Sequence, residues 1–270
     1  METHANARAS HTLRADAAEA RERERGRLID RGLDPDQVIG ETEGNPIDVA
    51  TFYDILGKMA ASEKAGQSPT YSLARLALRA GLPNEIADTL FLAYNQQSAE
   101  EAGHGDKVFG NAYFSLGGTA PGGENSVFGD GADVASGLKP GDDPRENERL
   151  LGSVAGTIGG IEIVALQRVF PLVTRLCEGW DHPIARALVR QIREVVRPEE
   201  SRHVLIWRYV FHQLIAPKGA AHVDQYLQAT NAGRTQLVAP PFDRETFDRM
   251  IGTRAPSSRQ LLGSDRAPVS

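Results

Sequence analysis

Apolar positions recur at helical spacing along most of the chain. Between Ile47 and Ala65, the residues Phe52, Ile55, Leu56, Met59 and Ala60 fall on one side of a helix. Gly66 to Pro69 reads as a turn into a short helix, Tyr71 to Ala80, closed by Gly81-Leu82-Pro83. A long helix is predicted from Asn84 to about Phe114, with Ile86, Leu90, Tyr94, Gln97, Glu101, His104 and Val108 along one side. Ser115 to Arg145 is rich in Gly, Pro, Asp and Asn and predicts no regular element. A connection of that length is a lid, a crossover or disordered. The helical pattern returns from Glu146 to Cys177, breaks at Gly179 to Pro183 and runs to about Ala216, with a kink expected at Pro198. Shorter helices are expected at Ala220 to Ala229 and Phe242 to Ile251. No stretch sustains the alternation of a strand, so the fold class is all-α.

The same pattern divides the chain into three parts. Residues 1–45 form a charged arm, partly helical around Ala15 to Asp30 and either packed on the body or loose. Residues 46–253 form one helical domain of four long helices plus extra short ones. Residues 254–270 are a Ser/Arg/Pro tail expected to be disordered. A length of 270 residues suits one domain with a sizeable core. The net charge of −6 argues against a nucleic-acid partner. No apolar run is seen to approach the ~20 residues that cross a bilayer, so no membrane span is expected. The first 28 residues lack the apolar stretch of a secretory signal, and a cytoplasmic location is expected by default. Cys177 stands alone, which excludes an internal disulfide and a cysteine-held iron–sulfur cluster. It reads as a small buried apolar residue.

The chemistry is concentrated on four of the helices. Glu100-Glu101-Ala102-Gly103-His104 and Glu199-Glu200-Ser201-Arg202-His203 each place a Glu and a His three residues apart, on one helix face and within reach of one ion. Carboxylate with imidazole, and no thiolate, suits iron or manganese. Each motif also has a lone glutamate upstream at the same distance: Glu63 precedes Glu101 by 38 residues, and Glu162 precedes Glu200 by 38. Glu162 lies between Gly156-Thr157-Ile158-Gly159-Gly160-Ile161 and Ile163-Val164-Ala165-Leu166. An ionised carboxylate in such surroundings is costly unless paired or bound to metal. Two helices thus give a Glu each and two give Glu-x-x-His, the six-ligand pattern of di-iron carboxylate bundles. Glu63, Glu101, His104, Glu162, Glu200 and His203 are the expected ligands.

The stretch EEAGHGDKVFGNAYFSLGG, Glu100 to Gly118, resembles the first iron-binding helix of soluble acyl-carrier-protein desaturases. PEESRH, Pro198 to His203, is similar to the second motif of that family and of other ferritin-like di-iron oxygenases. The resemblance implies a ferritin-like four-helix bundle with its long crossover between the second and third helices. It implies two iron ions, or a manganese–iron pair, and a homodimer. It also implies that Glu100 orients His203 and that Glu199 orients His104 through the ring nitrogen not bound to metal. Three positions depart from the better-known branches: Val196, Val108 and Ala165 stand where arylamine oxygenases, ribonucleotide reductases and desaturases carry His, Tyr and Thr.

Gly152, Gly156, Gly159 and Gly160 in the third helix are costly there, by roughly 1 kcal/mol each relative to alanine. Ala155 and Gly159 lie near the face of Glu162, where small residues leave room for dioxygen and a substrate or else let another helix approach. Gln97 and Trp207 flank the site one turn from Glu101 and His203, and Trp207 reads better as core. The expected function is a di-iron oxidase or monooxygenase that activates dioxygen to oxidise a C–H or N–H bond of a small or medium organic molecule. Its electrons come from an outside donor such as a ferredoxin and reductase. One alternative is a desaturase acting on a carrier-bound acyl chain, with Arg186, Arg190, Arg193 and Arg197 as a basic patch for the carrier protein at a tunnel mouth. Another is a ferritin-like iron-storage or detoxification protein, and a third is a metal-free bundle.

Overall fold

The computed structural model describes residues 18–119 and 138–263. Within them the chain is mostly helical, as the apolar spacing predicts, with one small sheet. A helix over residues 18–30 (α1) leads to a hairpin of β1 (Val38–Thr42) and β2 (Asn45–Asp48). The strands are antiparallel, with Thr42 opposite Asn45 and a bulge between Val38 and Gly40. Glu43 and Gly44 make the two-residue turn with φ of 51° and 78°, the geometry that suits the twist of a hairpin. This part of the chain is anchored to the body. Leu28 and Ile39 are buried with Leu176 and Trp180, and the Tyr53 hydroxyl donates to Glu24 Oε2 at 2.6 Å.

Long helix I is α2 (Val49–Arg79), capped by Asp48, whose side chain accepts from Thr51 N at 2.7 Å. The break expected at Gly66 to Pro69 is absent. Pro69 costs the helix a hydrogen bond, and neighbouring hydroxyls satisfy the carbonyls around it. Thr70 Oγ1 donates to Gly66 O and Gln67 O, and Ser98 on the adjacent helix donates to Gln67 O. Burial of Leu73, Leu76 and Ala77 beyond the proline then outweighs the local preference.

Long helix II runs through α3 (Asn84–Gly103), a π-helical segment at His104–Gly110 and α4 (Asn111–Ser115). Long helix III is α5 (Pro144–Val164), a π segment at Ala165–Val169 and α6 (Phe170–Glu178). Long helix IV comprises α7 (Pro183–Gln191), a π segment at Ile192–Val196, α8 (Arg197–Val210) and a second π segment at Phe211–Ile215. A single 3₁₀ turn, Ala216–Lys218, ends it. Pro171, Pro198 and Pro217 each stand two residues beyond a π segment. A proline ring collides with the carbonyl four residues before it, and the wider π turn shifts that carbonyl. The expected kink at Pro198 is thus met by a change of helical register. Helix IV is followed by α9 (Ala220–Gln236), α10 (Arg244–Ile251) and α11 (Ser258–Leu261). The tail expected to lack structure from residue 254 therefore contains a capped helical turn, with Leu261 buried. Much of the predicted long connection, residues 120–137, lies outside the described residues.

Two apolar cores divide the bundle along its length. One gathers Leu73, Leu90, Leu151 and Val210 with Tyr226 and Phe247. The other gathers Phe52, Leu56, Phe109, Phe170, Leu188 and Ile192. Helices I and IV pass from the second core to the first as the chain advances, and helices II and III pass from the first to the second. Helices II and III therefore run in the same direction, so their connection must return along the bundle. Helices I and IV each pack against both II and III.

Helix III, Pro144–Glu178, is long and apolar enough to cross a bilayer by length and composition, which the sequence reading did not expect. Here its glycines receive other helices. A Cβ on Gly160 would collide with Thr230 O, and one on Gly233 of α9 would collide with Thr157 O. The α9 helix, longer than the expected Ala220 to Ala229, covers that face.

Candidate metal centre

Between the two cores lies a polar layer to which each long helix contributes. Helix I brings Glu63, helix II Glu101 and His104, helix III Glu162, and helix IV Glu200 and His203. Donor atoms of Glu63, Glu101, His104 and Glu200 all lie within 4.8 Å of one another, as do those of Glu101, Glu162, Glu200 and His203. The two groups share Glu101 and Glu200, and the two imidazole centroids are 6.4 Å apart. All six expected ligands are therefore brought together, as two adjacent four-donor groups with a common edge.

The histidines are held from outside this cluster. His104 Nε2 is 2.8 Å from Glu199 Oε2, and His203 Nε2 is 3.0 Å from Glu100 Oε2. Each imidazole is thus oriented by the acidic residue of the other motif, with Nδ1 turned toward the cluster. His104 Nδ1 is 3.2 Å from Glu63 Oε2, and His203 Nδ1 is 3.3 Å from Glu200 Oε2. Arg202 pairs with Glu100 and stands 3.9 Å from Glu199, so one guanidinium serves both supporting carboxylates. The Glu-x-x-His spacing does not single out Arg202, although it lies within the second motif between Glu199 and His203.

Gln97 is at the site as a donor. Its amide reaches Glu162 Oε1 at 2.8 Å and Glu101 Oε1 at 3.3 Å. The other two expected pocket residues are not pocket residues. Ala155 is buried in the first core, and the space over Gly159 is filled by Trp207, which an added Cβ would strike. Trp207 itself stacks with Tyr226 and meets Phe247 edge-on, donating its indole N–H to Thr230 Oγ1 at 3.1 Å. Glycine here buys close packing rather than open volume. Gly105 acts similarly beside Glu63, because a Cβ there would stand 2.8 Å from Lys64 N. Cys177 is buried away from this layer, and burial pushes its thiol up to about 12.

The electrostatics are those of too much buried negative charge. Burial, with Glu200 and Glu63 nearby, pushes Glu101 up to about 8. Burial also raises Glu63 and, more strongly, Glu162, each against the charge of Glu200. Glu200 is held well below the carboxylate range, because contacts with both histidines outweigh its burial. Both histidines are raised despite burial, His104 by Glu199, Glu200 and Glu63, and His203 chiefly by Glu200 and Glu100. Among the described residues, the ion pairs of the four cluster carboxylates are to these two histidines alone. Glu200 Oε1 is buried, with His104 Nδ1 3.1 Å away as its ion-pair partner. Oxygen and imidazole donors with excess buried negative charge fit hard or borderline divalent cations.

A cavity of about 590 Å³ meets the layer from one side. Glu63, Glu101 and Glu162 line it on the side of the cluster, Lys58, Ser62, Thr70, Thr157 and Gln236 are its other polar residues, and Ile55, Met59, Val154, Ile158, Ile161 and Val169 are among its apolar ones. None of the four arginines of the expected basic patch lines it. They are exposed on helix IV, where Arg186 pairs with Asp181 and Arg193 with Glu178. No protein-family model, curated protein or solved structure matches the chain.

Proposed function

We propose that this chain is a ferritin-like di-iron oxidase or monooxygenase acting on a mainly apolar organic molecule. The parallel run of helices II and III, which demands a long return connection, supports the ferritin-like arrangement. The observation that carries the functional reading is the junction of the six-donor cluster with the apolar cavity through Glu63, Glu101 and Glu162. An iron-storage protein has no use for an apolar chamber of substrate size against its ligands.

In this reading Glu63, Glu101, His104, Glu162, Glu200 and His203 would hold the ions, with Glu101 and Glu200 common to both donor groups. A bound iron pair supplies the activation of dioxygen, with two electrons from an external donor such as a ferredoxin and its reductase. The chain's own residues do the rest. Glu100 and Glu199 fix the tautomer and ring plane of the histidines. The cavity walls desolvate the substrate and set its reacting bond beside the carboxylates. Gln97 keeps one oxygen of Glu162 engaged, which leaves the other to turn toward an ion. Manganese in one position is compatible with the same donors.

The test is the metal content of protein produced with ample iron, followed by dioxygen uptake on reduction. The expected result is close to two ions per chain, and uptake dependent on them. A folded chain that takes up no metal after anaerobic loading with iron and with manganese overturns the reading.

A further inference from the structure

The prolines within the long helices are not all accommodated in the same way. Pro171, Pro198 and Pro217 each follow a π segment, whose wider turn moves aside the carbonyl that the ring would strike. Pro69 has no such relief, because α2 is α-helical from Val49 to Arg79. Its missing N–H leaves the carbonyl of Ala65, four residues back, without its helical donor, and its ring pushes that carbonyl outward from the helix axis. Thr70 Oγ1 donates to the carbonyls of Gly66 and Gln67, the next two along, and not to this one.

The freed carbonyl belongs to the cavity wall. Residues four apart share a helix face, and Ala65, Gly66 and Pro69 all line the cavity. The Ala65 C=O runs along the wall from Ala65 toward Pro69. A Cβ on Gly66 would stand 3.2 Å from Glu101 Oε2, so the bare backbone at this level faces a carboxylate of the cluster directly. Thr70 and Thr157, which also line the cavity, already give their hydroxyl hydrogens to carbonyls of their own helices. Glu63, Glu101 and Glu162 belong to the buried cluster. The Ala65 carbonyl is thus an acceptor, in a mainly apolar wall, that neither its helix nor the cluster uses. An apolar molecule that displaces water from such a group loses free energy unless it brings a donor of its own.

We propose that the Ala65 carbonyl, freed by Pro69, is a binding point for substrate, so that the molecule taken into the cavity is mainly apolar and carries one N–H or O–H group beside the buried carboxylates. A few fixed polar groups, backbone carbonyls among them, orient a ligand in an otherwise apolar pocket. The hydrogen bond sets the atoms next to the donor group against the cluster, which narrows the substrate from plain hydrocarbons to amines and hydroxyl compounds. That this molecule is oxidised rests on the oxygenase reading, whereas the acceptor itself does not.

Calorimetric titration of the full chain, iron-loaded and metal-free, with 4-propylaniline, 4-propylphenol and 4-propyltoluene tests the assignment, since the three differ in a single group. A wall without an acceptor favours the methyl compound, the most apolar of them. The aniline or the phenol is instead expected to bind about tenfold tighter than 4-propyltoluene, and the tighter of the two names the donor. Pro69→Ala returns an N–H to the Ala65 carbonyl through a residue better suited to a helix interior, so the variant is expected to melt no lower than the parent chain. It should bring the ratio to about one, chiefly by weakening the aniline or the phenol, with metal content unchanged. Binding of 4-propyltoluene as tight as that of both others overturns the proposal. So does a preference left intact in Pro69→Ala, which would put the acceptor on the carboxylates. Failure to find metal would remove the oxygenase and leave the metal-free titration to decide the acceptor.

Discussion

The two halves of the buried Glu/His layer are built from the same residue types at the same spacing, yet their surroundings differ. Glu162 receives the Gln97 amide, and Glu100 behind His203 receives both Gln96 and Arg202. Glu63 is hydrogen-bonded to His104 and adjoins Lys64, whose ammonium group is engaged with Asp106 in solvent. Glu199 behind His104 has Arg202 only at 3.9 Å. The Glu162–His203 half is braced by neutral amides and a close guanidinium, whereas the Glu63–His104 half is held mainly by its own imidazole. Paired sequence motifs therefore do not make equivalent ion sites. The Glu162–His203 half is the more firmly fixed in geometry, and the Glu63–His104 half is the freer to adjust.

The largest effect should erase that distinction. Glu101 and Glu200 belong to both donor groups, so Glu200→Ala or Glu101→Ala is expected to take metal content from about two ions per chain to near zero, read by elemental analysis. A variant that retains one tightly bound ion would show that the halves are independent.

Removal of metal should expose the stored charge next. Glu101 titrates near 8 in the folded chain against an ordinary 4.5, so across that window the native carboxyl keeps a proton that the unfolded chain releases. Stability of the metal-free protein then falls as pH rises from about 4.5 to 8, by an amount on the order of a few kcal/mol. The raised histidines act in the same direction, since their contribution is full below 6.5 and is lost as pH rises through their folded values. Glu200, lowered, works oppositely and loses its contribution as pH falls below 4.5. Thermal melts at several pH values should show this slope without metal and a flatter one with it. A metal-free protein equally stable at both ends of the window would contradict the charge balance.

The supporting glutamates sharpen the comparison between halves. Glu100→Gln should weaken the ion beside His203, and Glu199→Gln the ion beside His104, each by ~10–100-fold. Competition with a chelator reads the two separately, and loss of the same ion in both variants would refute the crossed arrangement. The smallest effect belongs to Gln97→Leu, about 1 kcal/mol. It should fall on the Glu162 half alone, as a modest rise in the dissociation rate of one ion.

The six clustered Glu and His residues were legible in the sequence because their geometry is local. Glu-x-x-His fixes two donors on one helix turn, and Glu162 among Ile, Val and Gly announces a carboxylate that must be compensated. The crossed support of the histidines could be read from resemblance alone, since residues about a hundred positions apart carry no spacing signal. Other features depended on partners that one sequence does not reveal. A glycine beside Glu162 leaves room or admits a neighbour, and only the arrival of Trp207 decides which. Pro69 is a helix breaker in isolation and is overridden by hydroxyls from its own and the next helix. The hairpin did leave a trace, the Glu43-Gly44 pair between Ile39 and Ile47, that short strands made easy to miss.

The crossed support also sets an order of events during synthesis. Glu63, Glu101, His104 and Glu162 leave the ribosome well before Glu199, Glu200 and His203. A chain that has emerged only through helix III already offers carboxylates and an imidazole. It lacks the residue that turns His104 and a ligand shared by both donor groups. The cluster is therefore complete only once helix IV docks on helices I to III.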